Sequence, residues 1–468
     1  MNTQKRLQHL HWRAGFGLSP KEWKINYRQS TQKAIDRLFK KAHQASQIKI
    51  VKNGNGIQTS MNDDSMNMEN PAAAKKEKRK QNRLRLSAHN TDWVLRMANP
   101  NESALLEKMC LFWHGHFACR SKKPDWARKQ LNTIRTHALG NFRDLVLGIA
   151  KDGSMIRYLN NQQNKKKKPN ENFAREVMEL FTIGIGNYTE QDVKEAARAF
   201  TGWATNGMGD YKFKKRHHDF GSKTFMGKTG EWNGDDILDI ILEKRETADF
   251  IARKAYRFFV NEKIDERNIQ YLSKIFYDSN YDIEKLMRGI FESDWFYEKK
   301  NVGVKIKSPV ELMAGMIRTF EVEIKNPASL IFVEKVLGQI LFHPPNVAGW
   351  PGGKSWIDNS TLMFRLNFAN VLFQNSKLNL KFKEEFEAQK RNKRKRNIQA
   401  SVNFEPFYNL FKRENKNQLM DKMGRFLLQT QHPLKEEMFQ DFVITSDQKD
   451  LIQTLCLRMM SLPEYQLC

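Results

Sequence analysis

The stretch "NENFAREVMELFTIG", residues 170–184, has the apolar spacing of an amphipathic helix. Phe173, Val177 and Phe181 recur every four residues, so they share one face of a helix with 3.6 residues per turn. The same spacing continues in "YTEQDVKEAARAFTGW", residues 188–203, and along most of the chain. The sequence therefore predicts a mainly α protein, folded as a single large multi-helix domain.

Some segments depart from this helical pattern. Residues 44–80 lose periodicity and predict a long, mobile and basic insertion. Residues 204–233 alternate Gly, His and aromatic residues with Lys, which predicts a short β-hairpin or an irregular insert. We expect the main helical domain to span 1–374, with a basic linker at 375–400. The helices predicted within 401–468 are expected to pack on the same domain.

The chain is strongly basic, with 79 Lys and Arg against 53 Asp and Glu over 468 residues, a net charge of +26. Three basic runs, at 75–85, 165–168 and 390–396, supply much of that excess. Such runs are typical either of contact with phosphate or an anionic surface, or of solvated loops. Because the runs contain no interleaved aromatic residues, any nucleic acid or other polyanion would be bound without sequence preference.

Cysteine content and hydropathy restrict the class of protein. The four cysteines form no CxxC pair and predict no disulfide framework. No stretch approaches the ~20 apolar residues of a membrane span, so none is predicted. The first residues lack the apolar core of a signal peptide, which favours a cytoplasmic location.

The opening helix also carries carboxylates beside its apolar stripe. Asn172, Glu176 and Glu179 form a polar column that borders the predicted core, where a carboxylate needs a cation, backbone donors or a metal. One interpretation is a structural salt bridge, with Arg198 on the next helix as a partner. The other is an acid/base site, for which Arg175, Glu176, Glu179 and Arg198 are the candidate catalytic residues.

Histidines elsewhere supply further ligand types. "FWHGHF" contains His114 and His116, and "RHHDFGSKTF" contains His217, His218 and Asp219. Together with the helix carboxylates they could hold a divalent metal, although neither spacing is diagnostic of a metal site. Their meeting in one cavity would make the protein a metal-assisted enzyme acting on a polar substrate, with a metal-bound water as nucleophile.

Three tryptophans lie beside glycine-rich turns. Trp203, Trp350 and Trp356 either line a ligand groove, together with Asn172, or fill gaps between loops and core. The alternative to an enzyme is therefore a non-catalytic binding or assembly protein, whose basic loops engage an anionic polymer or a protein partner. Both functions remain open at the level of sequence.

Eight segments occur in a recognisable order between residues 9 and 357. They are "HLHWRAGFGLSP", "FWHGHF", "NENFAREVMELFTIG", "YTEQDVKEAARAFTGW", "HHDFGSKTFMG", "IARKAYRFFV", "KSPVELMAGMIR" and "PPNVAGWPGGKSWI". In these segments the chain resembles the bacterial family catalogued as domain of unknown function 1800. The resemblance implies a mostly helical protein, frequent export among relatives and a sulfatase-like partner protein encoded nearby. It transfers no catalytic residue.

Overall fold

A computed structural model describes residues 3–45, 48, 71–374, 398–429 and 447–468. Within these residues the chain forms 20 α-helices and only two-stranded sheets, which confirms the mainly α prediction. The helices are α1 (Thr3–Arg13), α2 (Pro20–Asn26), α3 (Thr31–His43), α4 (Pro71–Ala98), α5 (Ala104–His116), α6 (Pro124–His137), α7 (Phe142–Ala150), α8 (Gly153–Tyr158), α9 (Asn172–Glu176), α10 (Glu190–Ala199), α11 (Gly234–Leu242), α12 (Arg245–Phe259), α13 (Glu266–Asp278), α14 (Ile283–Phe291), α15 (Pro309–Thr319), α16 (Ala328–Leu337), α17 (Asn359–Gln374), α18 (Glu405–Phe411), α19 (Lys416–Leu427) and α20 (Gln448–Met460).

The insert between α10 and α11 consists of two small antiparallel hairpins. Strand β1 (Trp203–Thr205) pairs with β2 (Tyr211–Phe213), and β3 (Lys223–Phe225) pairs with β4 (Lys228–Gly230). This agrees with the hairpin predicted near 204–233. Gly202, with φ of 79°, precedes the first hairpin, and a Cβ there would lie 2.8 Å from the carbonyl of Lys214. A side chain at this position would therefore push the two segments apart.

The predicted insertion at 44–80 differs from the structure over its last ten residues. Residues 71–80 form the first turns of α4. The segment "PAAAKKEKRK" begins with a proline at the first helical position, where proline is favoured, and continues in strong helix formers. The first basic run consequently lies on an exposed helical face and not in a loop. Residues 46–47 and 49–70 of the insertion, and 375–397 of the predicted linker with the third basic run, fall outside the described residues.

The described C-terminal residues pack against the start of the chain. Helix α18 contacts α2, and the rings of Trp23 and Phe426 meet edge to face at 5.3 Å. Strand β5 (Glu323–Ile324) pairs with β6 (Ala400–Ser401). Among the described helices, none combines the length and apolar content needed to cross a membrane.

A buried ion pair connects the centre of the chain to its first helix. Glu311 of α15 accepts from Lys108 of α5 and, at 2.7 Å, from Lys305. The Lys108 ammonium also donates to the carbonyl of Gly15 at 2.8 Å, just after α1. Burial acts to raise the pKa of Glu311, but the charges of Lys108 and Lys305 outweigh it and lower that pKa. The carboxylate therefore stays ionised and is satisfied on both oxygens.

Removing Glu311 should destabilise the fold strongly. In a Glu311→Ala variant two buried ammonium groups lose their counter-charge, and breaking such a pair typically costs ~3–5 kcal/mol. The free energy of unfolding in urea measures this loss.

The control is Lys274→Ala, which removes an exposed pair with Asp278 on α13. We expect that change to cost less than ~0.5 kcal/mol. A Glu311→Ala variant as stable as the control would contradict a central role for the buried pair.

Candidate functional site

His114 and His116 end α5, and both rings are buried among aromatic side chains. The Nε2 atom of His114 accepts a hydrogen bond from the backbone N–H of Phe342 at 3.1 Å. The Nε2 atom of His116 instead lies 3.0 Å from the carbonyl of Phe181, to which it must donate. The two histidines therefore carry their protons on opposite nitrogens. Each ring is engaged by a backbone group of a neighbouring segment.

The environment of both histidines favours the neutral ring. Burial, together with a smaller contribution from His343, lowers the pKa of His114 to about 4. Burial lowers the pKa of His116 to about 3, with a further contribution from Lys254, while the hydrogen bond to Phe181 opposes the shift. Both rings remain uncharged at neutral pH.

The second histidine pair lies at the first hairpin. His218 is buried, and its Nδ1 atom donates to the carbonyl of Thr201 at 2.9 Å. His217 is half-buried at the surface beside it. The Asp219 carboxylate accepts from Nε of Arg198 at 2.8 Å, and Arg198 also pairs with Glu195. Asp219 and Arg198 are thus bound to each other.

The helix that contains the two carboxylates changes its winding halfway along. Helix α9 ends at Glu176 and continues as a π-helix, Val177–Thr182. The backbone N–H of Ile183 donates to Met178, five residues earlier, at 3.1 Å, and the Thr182 hydroxyl donates to Val177 at 2.6 Å. A continuous α-helix was predicted here. The wider turn also alters which side chains share a face.

Glu176 and Glu179 are both half-buried. Burial and then the charge of Glu179 raise the pKa of Glu176, while Arg175 acts in the opposite direction. Glu179 accepts a hydrogen bond from the Tyr188 hydroxyl at 3.1 Å. The predicted salt bridge to Arg198 is not formed, because Arg198 binds Glu195 and Asp219.

Arg175 and Asn172 also have local partners. Arg175 makes a two-point contact with Glu190 at 2.7 and 2.8 Å and pairs with Glu171 at 3.2 Å. The side-chain amide of Asn172 donates to the carbonyl of Leu159 at 3.1 Å. These contacts fasten the start of α9 to its neighbours.

The candidate metal ligands do not form one donor set. Over the ranges that the structure describes, no three His, Cys, Asp or Glu side chains are arranged to hold a metal ion. His116 does approach the carboxylate-bearing helix, but its contact is the backbone of Phe181. The expected convergence is therefore limited to one histidine and the helix backbone.

The three tryptophans differ in their exposure. Trp203 and Trp356 are buried, and Trp203 meets Tyr211 edge to face at 5.3 Å. Trp350 is half-buried, with its ring 5.7 Å from that of His114. The adjacent Gly349 packs so closely on α5 that a Cβ would lie 2.3 Å from the carbonyl of Gly115. These tryptophans mainly fill the space between loops and core.

The fold brings two basic segments together at the first hairpin. The Lys165–Lys168 tract forms a tight antiparallel bridge, and the backbone N–H of Lys166 donates to the carbonyl of His217 at 2.8 Å. This contact places the tract beside Lys214, Lys215 and Arg216. We call the eight residues of these two segments the lysine patch: Lys165, Lys166, Lys167, Lys168, Lys214, Lys215, Arg216 and His217.

The lysine patch concentrates positive charge without local compensation. Its Lys and Arg side chains are all exposed, and no carboxylate in the described ranges forms an ion pair with any of them. The nearby acids Asp210 and Asp219 are paired with Lys129 and Arg198. Partial desolvation and the charges of four patch members, Lys165 foremost, lower the pKa of His217. The surface is suited to an anion that spans several cations.

Sequence reasoning identified only half of this surface. The sequence shows 165–168 as a basic run, whereas "KKRH" at 214–217 contributes only its histidine to the predicted metal ligands. Nothing in the spacing indicates that the two would meet, since that contact depends on the Gly202 turn and on the hairpin register.

Comparison with known proteins places most of the chain in one family. A family model described as "Protein of unknown function (DUF1800)" matches residues 9–467. No curated protein and no solved structure matches the chain.

The buried histidines should make the protein sensitive to acid. Their pKa values lie below the ordinary 6.5 in the folded state, so the unfolded chain binds more protons as the pH falls. Stability should be fully present above about pH 6.5. It should fall towards pH 4 by ~1.4 kcal/mol per pH unit for each histidine.

Urea unfolding at a series of pH values measures this slope. His114→Gln and His116→Gln keep an acceptor or donor near Nε2 and remove the titrating ring, so each should flatten the slope. The control Met363→Ala, at an exposed position with no titratable group, should leave it nearly unchanged. Equal slopes in all the variants would rule out this explanation.

Proposed function

The chain belongs to this family of unknown function, and we propose from its lysine patch that it is a binding protein for a phosphate-bearing anionic polymer. The observation that carries the proposal is the hydrogen bond between Lys166 and His217, which joins two cationic segments about fifty residues apart. A linear array of cations is the usual means of binding a phosphodiester chain, because each contact releases condensed counterions.

The backbone beneath the patch supports this proposal. The Asn164 side chain donates to the carbonyl of Ala197 at 2.8 Å and accepts from the N–H of Asn170 at 2.9 Å. The N–H of Gly202 donates to the carbonyl of Asn164 at 3.1 Å. These bonds hold the ends of the tract on the helical scaffold. The two backbone segments are therefore in place before a ligand arrives, which lowers the cost of ordering them on binding.

A second basic surface offers a useful comparison. The exposed face of α4 carries Lys75, Lys76, Lys78 and Arg79. Within this run the one acidic residue is Glu77, which pairs with Lys80. This surface lies on one continuous helix, whereas the patch combines two segments. If net charge alone drives binding, the two surfaces should contribute equally.

The metal-assisted enzyme has less support. His114, His116 and His218 are each bound to a backbone carbonyl or N–H, and Asp219 is bound to Arg198. Glu176 and Glu179 form a half-buried pair with a raised pKa at Glu176, which is compatible with acid/base chemistry. Among the described residues, no further His, Cys, Asp or Glu side chain completes a metal-binding group with them.

Neutralising the tract should weaken binding and reduce its salt dependence. The probe is an abasic oligonucleotide, a single phosphodiester chain without bases, and fluorescence anisotropy measures its affinity at several salt concentrations. Replacing all four lysines of the tract, Lys165–Lys168, by Ala should make the slope of log affinity against log salt shallower by up to ~3, if all four contact phosphates.

The matched control changes Lys75, Lys76, Lys78 and Arg79 to Ala, which removes the same charge from α4. It should retain most of the affinity and slope. An equal effect of both variants would indicate that binding follows net charge. Absence of salt-sensitive binding by the wild-type protein would refute the proposed function.

A further inference from the structure

An exposed aromatic side chain lies at the edge of the lysine patch. Phe220 follows His217 by three residues and is 58% exposed. Within residues 164–169 and 210–222 it is the one large hydrophobic side chain with such exposure, while Met208, in the turn between β1 and β2, is also exposed. A single exposed apolar residue is common on protein surfaces. Its position beside a cationic patch is significant only if the scaffold also holds the ring in place.

The backbone around Phe220 is held on both sides. The N–H of Asp219 donates to the Thr201 hydroxyl at 2.8 Å, and the N–H of Gly221 donates to the Asp219 carboxylate at 2.9 Å. The Lys223 ammonium, itself buried, donates to the carbonyls of Asp219 and Gly221 at 2.7 and 2.8 Å. The segment carrying the ring is therefore fixed to the scaffold.

The ring itself is also supported. It meets the buried His218 ring edge to face at 4.7 Å, and His218 in turn contacts Phe213 at 5.0 Å. His218 is oriented by its hydrogen bond to Thr201. A supported ring loses little conformational freedom when another flat group stacks on it, as rigid aromatic residues do in binding surfaces.

Building on the proposed function, we propose that the polymer is a single-stranded nucleic acid, whose phosphates contact the lysine patch while an unpaired base stacks on Phe220. A cationic surface that follows the backbone, combined with aromatic rings for the bases, is the general arrangement for binding single strands. A paired base in a duplex has no free face to offer.

An anionic membrane is the competing ligand, since it too attracts lysines and accepts aromatic rings. Insertion into a membrane interface requires a broad apolar face, such as that of an amphipathic helix. Phe220 has no exposed large apolar neighbour within the described residues 164–169 and 210–222. One ring with several cations is better matched to a base and its phosphates.

The test compares two probes of equal length and charge: a thymidine oligonucleotide and an abasic oligonucleotide. At fixed salt, Phe220→Ala should weaken binding of the thymidine oligonucleotide by about 5- to 100-fold, the loss expected for one stacked base. It should leave binding of the abasic oligonucleotide unchanged. Phe220→Trp should keep the wild-type affinity for the thymidine oligonucleotide, whereas Phe220→Leu, which is apolar but not aromatic, should weaken it as Phe220→Ala does.

The control is Tyr271→Ala, which removes another exposed aromatic ring on α13 and should affect neither probe. A melting temperature near that of the wild type shows that Phe220→Ala remains folded. If Phe220→Ala does not fold, the Phe220→Leu variant provides the same measurement.

The possible failures are distinguishable. If neither probe binds in a salt-sensitive manner, the proposed function itself is refuted. If both probes bind equally and Phe220→Ala changes neither, the polymer-binding proposal survives and the role of Phe220 is refuted. Binding to phosphatidylserine vesicles that is lost in Phe220→Ala, without any effect on the oligonucleotides, would identify a membrane as the ligand and overturn the inference.

Discussion

Glu311 is the point at which distant parts of the chain are held together. Its carboxylate binds Lys108 from α5 and Lys305 before α15, and Lys108 also reaches the carbonyl of Gly15 after α1. A buried charge is costly unless it is paired and hydrogen-bonded, so these segments can bury their charged side chains stably only when they are packed in this arrangement. The ion pair consequently favours one arrangement of α5, α15 and the end of α1, and the apolar residues around it fill the remaining space.

The same requirement explains how other buried polar residues are used. Glu107, Trp93 and Arg135 all lie in the interior, and the Glu107 carboxylate accepts hydrogen bonds from Trp93 at 2.9 Å and from Arg135 at 2.6 Å. His114 and His116 satisfy backbone groups of other segments. Polar residues beside apolar stripes resemble a catalytic site in sequence, yet a large helical protein also needs them to connect its layers.

Local structure was largely predictable, and the contacts between segments were not. Apolar spacing at 170–184 correctly predicted a helix, because that pattern reports which face is buried. The same pattern did not indicate the π-helix from Val177, whose winding depends on bonds such as that from Thr182 to Val177. Arg198, on the next helix, was a candidate partner for the helix carboxylates, but the segment between the two hairpins places Asp219 against it. Spacing along one helix contains no information about a loop that folds back.

The lysine patch illustrates why the scaffold and the proposed binding surface depend on each other. Like charges repel, so gathering the Lys165–Lys168 tract and Lys214–Arg216 opposes folding locally. Hydrogen bonds from Asn164 and Gly202, together with the core contacts of Trp203 and Tyr211, hold the two segments in place despite that repulsion. An anionic ligand would reduce the repulsion that these bonds oppose. The surface is thus held by neutral hydrogen bonds beneath it, which leave its cations available to phosphate.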